Sequence, residues 1–288
     1  MDTIVMPNQI DLGKIKYGAV KTLPSGGKSI YISNNGSPFI IQTPEMRSPF
    51  GLSKWDKKEK DANGVEKDSF KYDLLLGFDG KDTREILATF YTKMCELDEK
   101  LITDGMENSM NWLGKKMNSK EVVEELYTPQ IRHSRDKNTG ETNDKYPPTF
   151  KANVPFRNGK FECDVYGPDK NEIKDLSSVN LQGARITSII QCLGIWVVGK
   201  KFGCTWKVIQ MKINPKSNIP KFAFREDPEA TAADSDEEDD DLPIAGGSGN
   251  RKVITNNEVA DSDEDDDEDD AEDDAADELN AKIPKLKV

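Results

Sequence analysis

The run ARITSIIQCLGIWVVGKKFGCTWKVIQMKI fills residues 184–213. Two β-prone segments, Ala184–Val198 and Thr205–Ile213, flank the short linker GKKFG at 199–203. β-Branched and aromatic residues dominate both arms, and a Gly-bearing linker of five residues suits a hairpin. The pair predicts a long antiparallel hairpin at the centre of a sheet. Strict alternation would put Thr205, Lys207, Ile209 and Met211 on one face and Trp206, Val208, Gln210 and Lys212 on the other. Trp206 is then expected to lie partly in the core and Lys207 outside it. The tip residues Lys200, Lys201 and Phe202 escape that constraint and are the better candidates for contact.

Working outward, Lys28–Asn34 (KSIYISN) alternates as a half-buried strand, Asn35-Gly36 is a turn signal, and Pro38–Thr43 reads as the returning strand. Residues 44–55, PEMRSPFGLSKW, read as an ordered loop gathering Arg47, Phe50, Lys54 and Trp55. Residues 56–68 are nearly all charged or turn-forming and read as an exposed excursion, and Ser69–Phe78 as another strand. Ile86, Phe90, Met94, Leu97 and Leu101 recur at helical spacing within 81–102, which predicts an amphipathic helix with its stripe on the core. Shorter helices are expected over Met106–Lys115 and from Asn118, with Glu121 closing a capping box, to about Leu126. Residues 127–149 read as a polar loop, and Phe150–Arg157 and Lys160–Tyr166 as strands around Asn158-Gly159.

The chain is therefore β-rich α+β, with a helical insertion over about 81–127. An OB-type barrel fits five or more strands in two hairpin-rich groups, and a sandwich would read similarly.

Charge divides the 288 residues in two. Residues 226–288 hold 25 Asp and Glu against 5 Lys and Arg, a net of -20, leaving 28 acids and 35 bases, a net of +7, in residues 1–225. The runs ADSDEEDDD (233–241) and ADSDEDDDEDD (260–270) form a low-complexity repeat. Such sequence buries too little apolar area to offset its ordering entropy, so 226–288 is expected to be a disordered acidic tail. Residues 1–225 then form one folded domain. Ser235 and Ser262 each precede an acidic run and are candidate phosphorylation sites for an acidophilic kinase.

Several functions find no support. The chain has one histidine, His133, in a polar loop, and no phosphate-binding glycine motif follows a strand. Its four cysteines, Cys95, Cys163, Cys192 and Cys204, form no C-x-x-C pair and are expected to be reduced and mostly buried. Cys192 and Cys204 are placed to face each other across the hairpin. No catalytic residue, metal site or cofactor is expected, nor a membrane partner: no stretch approaches the roughly 18 apolar residues of a membrane helix. An N-terminus without a signal-peptide pattern points to an intracellular protein.

Residues 176–225 contain no Asp or Glu at all. They carry Arg185, Lys200, Lys201, Lys207 and Lys212 among aromatics that include Trp196, Phe202 and Trp206. Cations that follow phosphates beside aromatic faces that stack on unpaired bases are the chemistry of single-stranded nucleic-acid binding. Arg47, Phe50, Lys54 and Trp55 repeat the combination. A chaperone of basic proteins that works through its acidic tail, and a structural virion protein, are the alternatives.

Three blocks, IIQTPEMRSPFGLSKWD (40–56), YPPTFKANV (146–154) and CLGIWVVGKKFGCTWKVIQMKI (192–213), resemble single-stranded-DNA-binding proteins of large nucleocytoplasmic DNA viruses. That group is related to the acidic-tailed single-stranded-DNA-binding proteins of T-odd podophages. The resemblance implies an OB fold and single-stranded DNA binding without strong sequence preference. It also implies a role in viral DNA replication and recombination, in the nucleus or viral factory of an infected cell or packaged in the virion. It further implies a homodimer, and an acidic tail that competes for the DNA groove and recruits replication enzymes.

Overall fold

The computed structural model describes residues 4–24, 26–60, 66–136 and 139–215, without the side chains of 57–60 and 66–69. The expected tail 226–288, with Ser235 and Ser262, lies outside the described residues. The principal strands are β1 (Ile15–Thr22), β2 (Lys28–Asn34), β3 (Ile40–Gln42), β4 (Met46–Arg47), β5 (Leu52–Lys60), β6 (Glu66–Gly77), β7 (Thr149–Asn153), β8 (Arg185–Val198) and β9 (Lys201–Asn214). Helices α1 (Glu85–Glu107), α2 (Ser109–Trp112) and α3 (Lys120–Leu126) fall between β6 and β7, as the insertion expected there.

Five strands close on themselves. β4 pairs antiparallel with β6, β6 with β7, β9 with β8, and β8 with β4, while β7 meets β9 in parallel at Asn153 and Lys207. A ring with one parallel contact is an OB-type barrel, and closure excludes the sandwich. β2 and β3 extend the sheet by pairing with β8, and β1 pairs with β2.

The core follows from alternation. Leu74 and Leu76 of β6, Phe150 and Ala152 of β7, and Ile186 and Ile190 of β8 all point inward and are buried. α1 covers the barrel with Leu87, Phe90, Met94, Leu97 and Leu101; the ring of Phe90 lies 5.8 Å from that of Phe150. Leu87 replaces the expected Ile86, which stays exposed, because the stripe starts one residue later where the chain leaves the 78–84 turn. The cap of α3 also shifts by one: Ser119, not Asn118, accepts from the Val122 amide, and its hydroxyl donates to Glu121. The short helix expected over Met106–Lys115 shrinks to α2, because α1 runs on to Glu107.

The charged excursion expected at 56–68 is instead two strands. β5 and β6 pair continuously from Leu52–Leu74 to Lys60–Glu66 and carry the hairpin beyond the barrel as a ribbon. The charged sequence of 56–68 lacks the apolar alternation that marks a core strand, so the pairing left no mark in its pattern.

A buried polar network ties the insertion to the barrel. Asp98 of α1 accepts on Oδ1 from the Tyr127 hydroxyl (2.6 Å) and the Gln130 side-chain amide (2.7 Å), and Gln130 accepts from the Trp206 indole N–H. Burial pushes the Asp98 carboxyl up to about 6, against the pull of its hydrogen-bond donors.

Gly194 sits at a β8 bulge with φ +137°, and a Cβ there would collide with the Ile30 carbonyl of β2. Gly194→Ala is expected to cost about 1–3 kcal/mol for the φ alone, with the collision added. A urea titration would show the lowered midpoint; an unchanged midpoint would mean β2 can retreat.

Candidate nucleic-acid interface

Two bulges decide which side chains of β8 and β9 share a face. In β8 Leu193 is the extra residue, since Cys192 faces Trp206 while Gly194 faces Thr205. In β9 the extra residue is Ile209, since Ile190 faces Val208 while Ile189 faces Gln210. The second bulge reverses the parity expected from strict alternation. Trp206, Val208, Met211 and Ile213 all turn inward and are buried. Lys207 and Lys212 therefore share the outward face.

That face carries cations at intervals along the hairpin. The outward rungs are Val198–Lys201, Trp196–Gly203, Gly194–Thr205, Gln191–Lys207, Ile189–Gln210, Thr187–Lys212 and Arg185–Asn214. Arg185 is in turn opposite Arg47 of β4. Asn153 of β7 faces both Lys207 and Asp73, and Asp73 faces Ser53, so one rung crosses from β5 to β8. Lys151, two residues before Asn153, makes a nearly buried ion pair of 3.3 Å with Asp73. Burial lowers the pKa of Lys207, with Arg157 adding to the effect and Glu162 opposing it. On the same outward face Gln191 Nε2, Thr205 Oγ1 and Trp196 Nε1 are buried without a hydrogen-bond partner among the described residues. Each such atom costs on the order of 1–3 kcal/mol.

The ribbon supplies the aromatics. Trp55, 43% exposed, stands opposite Lys71 on the face that continues the outward strip. Lys54 stands opposite Tyr72 on the other face, with its Nζ 3.6 Å over the Phe70 ring. Tyr72, Phe156 and Phe161 form a half-exposed cluster with ring centroids 4.8–4.9 Å apart. Sequence reasoning missed this cluster and Lys71 and Lys151. The Asn158-Gly159 hairpin, with an aromatic on each arm, was the available signal.

The expected site residues divide. Arg47, Phe50, Lys54, Trp55, Arg185, Lys200 and Lys212 are exposed, and Lys201 and Lys207 are half-buried. The structure brings Arg47 beside Arg185, but separates Lys54 and Trp55 onto opposite faces of the ribbon. The tip pair Lys200–Lys201 lies a full strand from Arg185, about 40 Å at roughly 3.3 Å per residue. His133 is exposed.

Trp196, Phe202 and Trp206 are corrections, because all three are buried and present no face to a ligand. Phe202 was expected at the exposed tip. The α1 helix instead comes so close that a Cβ on Gly105 would lie 2.8 Å from the Phe202 ring, and Tyr127 packs at 5.1 Å. Trp196 lies across Gly203 and packs with Leu23 and Val198. Trp206 lies inside the barrel between Phe39 (5.5 Å) and Phe150 (5.9 Å).

All four cysteines are free thiols, three of them buried. Cys192 and Cys204 do meet, with their sulfurs 3.2 Å apart. They sit two rungs apart, because Cys204 faces Ile195, which puts their backbones too far apart for a relaxed disulfide. Among the described residues no group of His, Cys, Asp and Glu could hold a metal ion, and no helix is long and apolar enough to cross a membrane.

The model of the Family of unknown function (DUF5871) matches residues 82–226. This chain belongs to that family. The matched span contains α1–α3, β7, β8 and β9, and so Arg185, Lys207 and Lys212, while Trp55 and the ribbon precede it. No curated protein matches the chain. Solved structures similar to it include the single-stranded DNA-binding protein from bacteriophage Enc34 in complex with ssDNA, at 11% identity and a TM-score of 0.35, covering 70% of this chain and 94% of that one. Another is gp2.5, a single-stranded DNA-binding protein encoded by bacteriophage T7, at 10% identity and 0.34, covering 65% and 98%. A C-terminal truncation of the Enc34 protein gives 12% identity and 0.36, covering 70% and 97%. These likenesses are weak, and the barrel stands on its own strand pairings.

Proposed function

We propose that the outward face of β6, β7, β9 and β8, extended by the ribbon, binds single-stranded DNA without strong sequence preference. One observation carries this reading: two bulges align Lys201, Lys207, Lys212 and Arg185 in file on one face of a closed OB-type barrel. A file of cations follows a phosphate backbone, and the exposed Trp55 offers a stacking plane for an unpaired base. Duplex bases are already stacked and have no use for that plane.

The same charge argument extends to the chain's own acids. Residues 226–288, with a net charge of -20, are a polyanion tethered to a body of +7. We propose that they compete with DNA for the cationic face and suppress other anions, and that phosphorylation at Ser235 and Ser262 strengthens the competition. The residues of the three blocks that resemble viral single-stranded-DNA-binding proteins support a place in DNA replication or recombination, with replication enzymes as tail partners and a homodimer as the working unit.

The test is fluorescence anisotropy of a labelled dT oligonucleotide with the full chain and with residues 1–225, at several salt concentrations, against a duplex competitor. Single-strand preference is expected, with a log-log salt slope of about -0.7 per neutralised phosphate. Deleting 226–288 is expected to tighten binding several-fold at low salt. Equal affinity of both forms would remove the competition. If neither form binds, the reading fails and a tail-driven chaperone of basic proteins takes its place.

A further inference from the structure

The far end of the cationic strip is built differently from the rest. Arg47 and Arg185 are direct antiparallel partners, so their side chains leave the sheet on the same face. Like charges directly opposite one another destabilise a strand pair. Asp79 offsets one of them, at 3.6 Å from Arg47. Arg185 has no ion-pair or hydrogen-bond partner among the described residues, and neither has Lys212, one rung along opposite Thr187. Of the carboxylates near this end, Glu45 is held by the Asn214 side-chain amide, and Asp164, opposite Gln210, accepts from the Gln210 side-chain amide at 3.0 Å.

Three residues after Arg47 comes Phe50, 54% exposed. It rides on a turn that is pinned in place rather than loose. The Ser48 amide donates to the Ala184 carbonyl (2.9 Å), the Gly183 amide donates to the Ser48 carbonyl (2.7 Å), and the Ser48 hydroxyl donates to the Gly51 carbonyl (3.3 Å). Gly51 closes the turn with φ +82° against the Gln182 backbone. Three hydrogen bonds fix the turn, and more than half of the Phe50 surface stays in solvent. The turn that carries it is preorganised, with Ser48 bonded to Ala184, the residue that precedes Arg185.

We infer that Phe50, Arg47, Arg185 and Lys212 form a terminal nucleotide subsite, in which the Phe50 ring takes one base and the paired guanidiniums clamp its phosphate. The inference rests on the single-stranded-DNA reading and deepens it. Paired guanidinium forks match phosphate oxygens bidentately, and an anion between them removes the repulsion the free protein carries. This subsite gives the strip a fixed end. The bound strand then runs the length of the β8–β9 hairpin instead of hanging from the ribbon alone.

The experiment uses the full-length chain, oligonucleotides carrying 5-iododeoxyuridine for photocrosslinking, and the variants Phe50→Leu, Arg185→Gln and Arg47→Gln. The crosslink is expected on Phe50 and is lost in Phe50→Leu. Phe50→Leu lowers affinity about tenfold, in keeping with loss of one stacked base, without changing the salt slope. Arg185→Gln flattens the slope by about 0.7. The melting temperature of Phe50→Leu stays at the parental value, since its side chain is exposed, and that of Arg185→Gln does not fall, since the change also relieves the repulsion with Arg47. Binding by the parent with affinity, slope and crosslinks unaffected by the variants would overturn the subsite and leave the DNA reading standing. Absence of binding by the parent would overturn both.

Discussion

Trp206→Ala is expected to lose about 3–5 kcal/mol of folding stability, whereas Trp55→Ala is expected to keep its stability and lose DNA affinity. Both tryptophans belong to the stretches that suggested base stacking, so composition treats them alike. Trp206 is 2% exposed, packs tilted against Phe39 and edge-on to Phe150, and donates its indole N–H to Gln130. Truncation empties a cavity in the barrel and breaks the network that reaches Asp98. Trp55 is 43% exposed on the ribbon and stands outside the hydrophobic core. Its affinity cost is about 1–3 kcal/mol if one base stacks on it. Urea denaturation measures the first quantity and oligonucleotide anisotropy the second. Loss of affinity by a folded Trp206→Phe chain, with Trp55→Ala binding normally, would contradict the assignment of both residues.

The second large effect concerns pH. Asp98 titrates at about 6 in the folded chain, against an ordinary value of 3.8. The folded state therefore holds a proton that the unfolded state releases. Its stabilising contribution is complete below the unfolded value and disappears as pH rises through the folded one. The span is worth about 3 kcal/mol at 1.36 kcal/mol per unit, of which roughly 1 kcal/mol falls between pH 5 and pH 7. Asp11, Glu121 and Asp169 are exposed carboxyls lowered by hydrogen bonds, and they push the other way in acid. A comparison with Asp98→Asn isolates the buried group. Every donor to Asp98 reaches Oδ1, so asparagine retains the acceptor without the charge. The difference in stability between variant and parent is expected to grow in favour of the variant as pH rises from 5 to 7. A difference that stays flat would mean Asp98 is charged in the fold throughout.

Much of the architecture was legible because it is written in local periods. Alternation marked Lys28–Asn34, β-branched and aromatic content marked both arms of the long hairpin, and the spacing of Phe90, Met94, Leu97 and Leu101 marked α1. Asn158-Gly159 marked its turn, where both residues have positive φ. The ribbon was missed because residues 56–68 are nearly all charged or turn-forming, a composition that resembles a loop. The candidate site was legible as a composition, an acid-free stretch rich in lysine and aromatics. It was not legible as a list of contacts, because three of its aromatics are buried.

The sequence by itself determined that this is a β-rich chain with a helical insertion and a strong division of charge, since period and charge are properties of neighbours along the chain. Tertiary structure alone decided which residues share a surface. The bulges at Leu193 and Ile209 depend on how strands of different origin pair, and a one-residue slip turns every later side chain to the other face. Ring closure set Arg47 against Arg185, 138 positions apart in the chain. Packing of α1 took Phe202 from the tip into the core. No local pattern carries such information, because the partner that supplies each constraint lies far away in sequence.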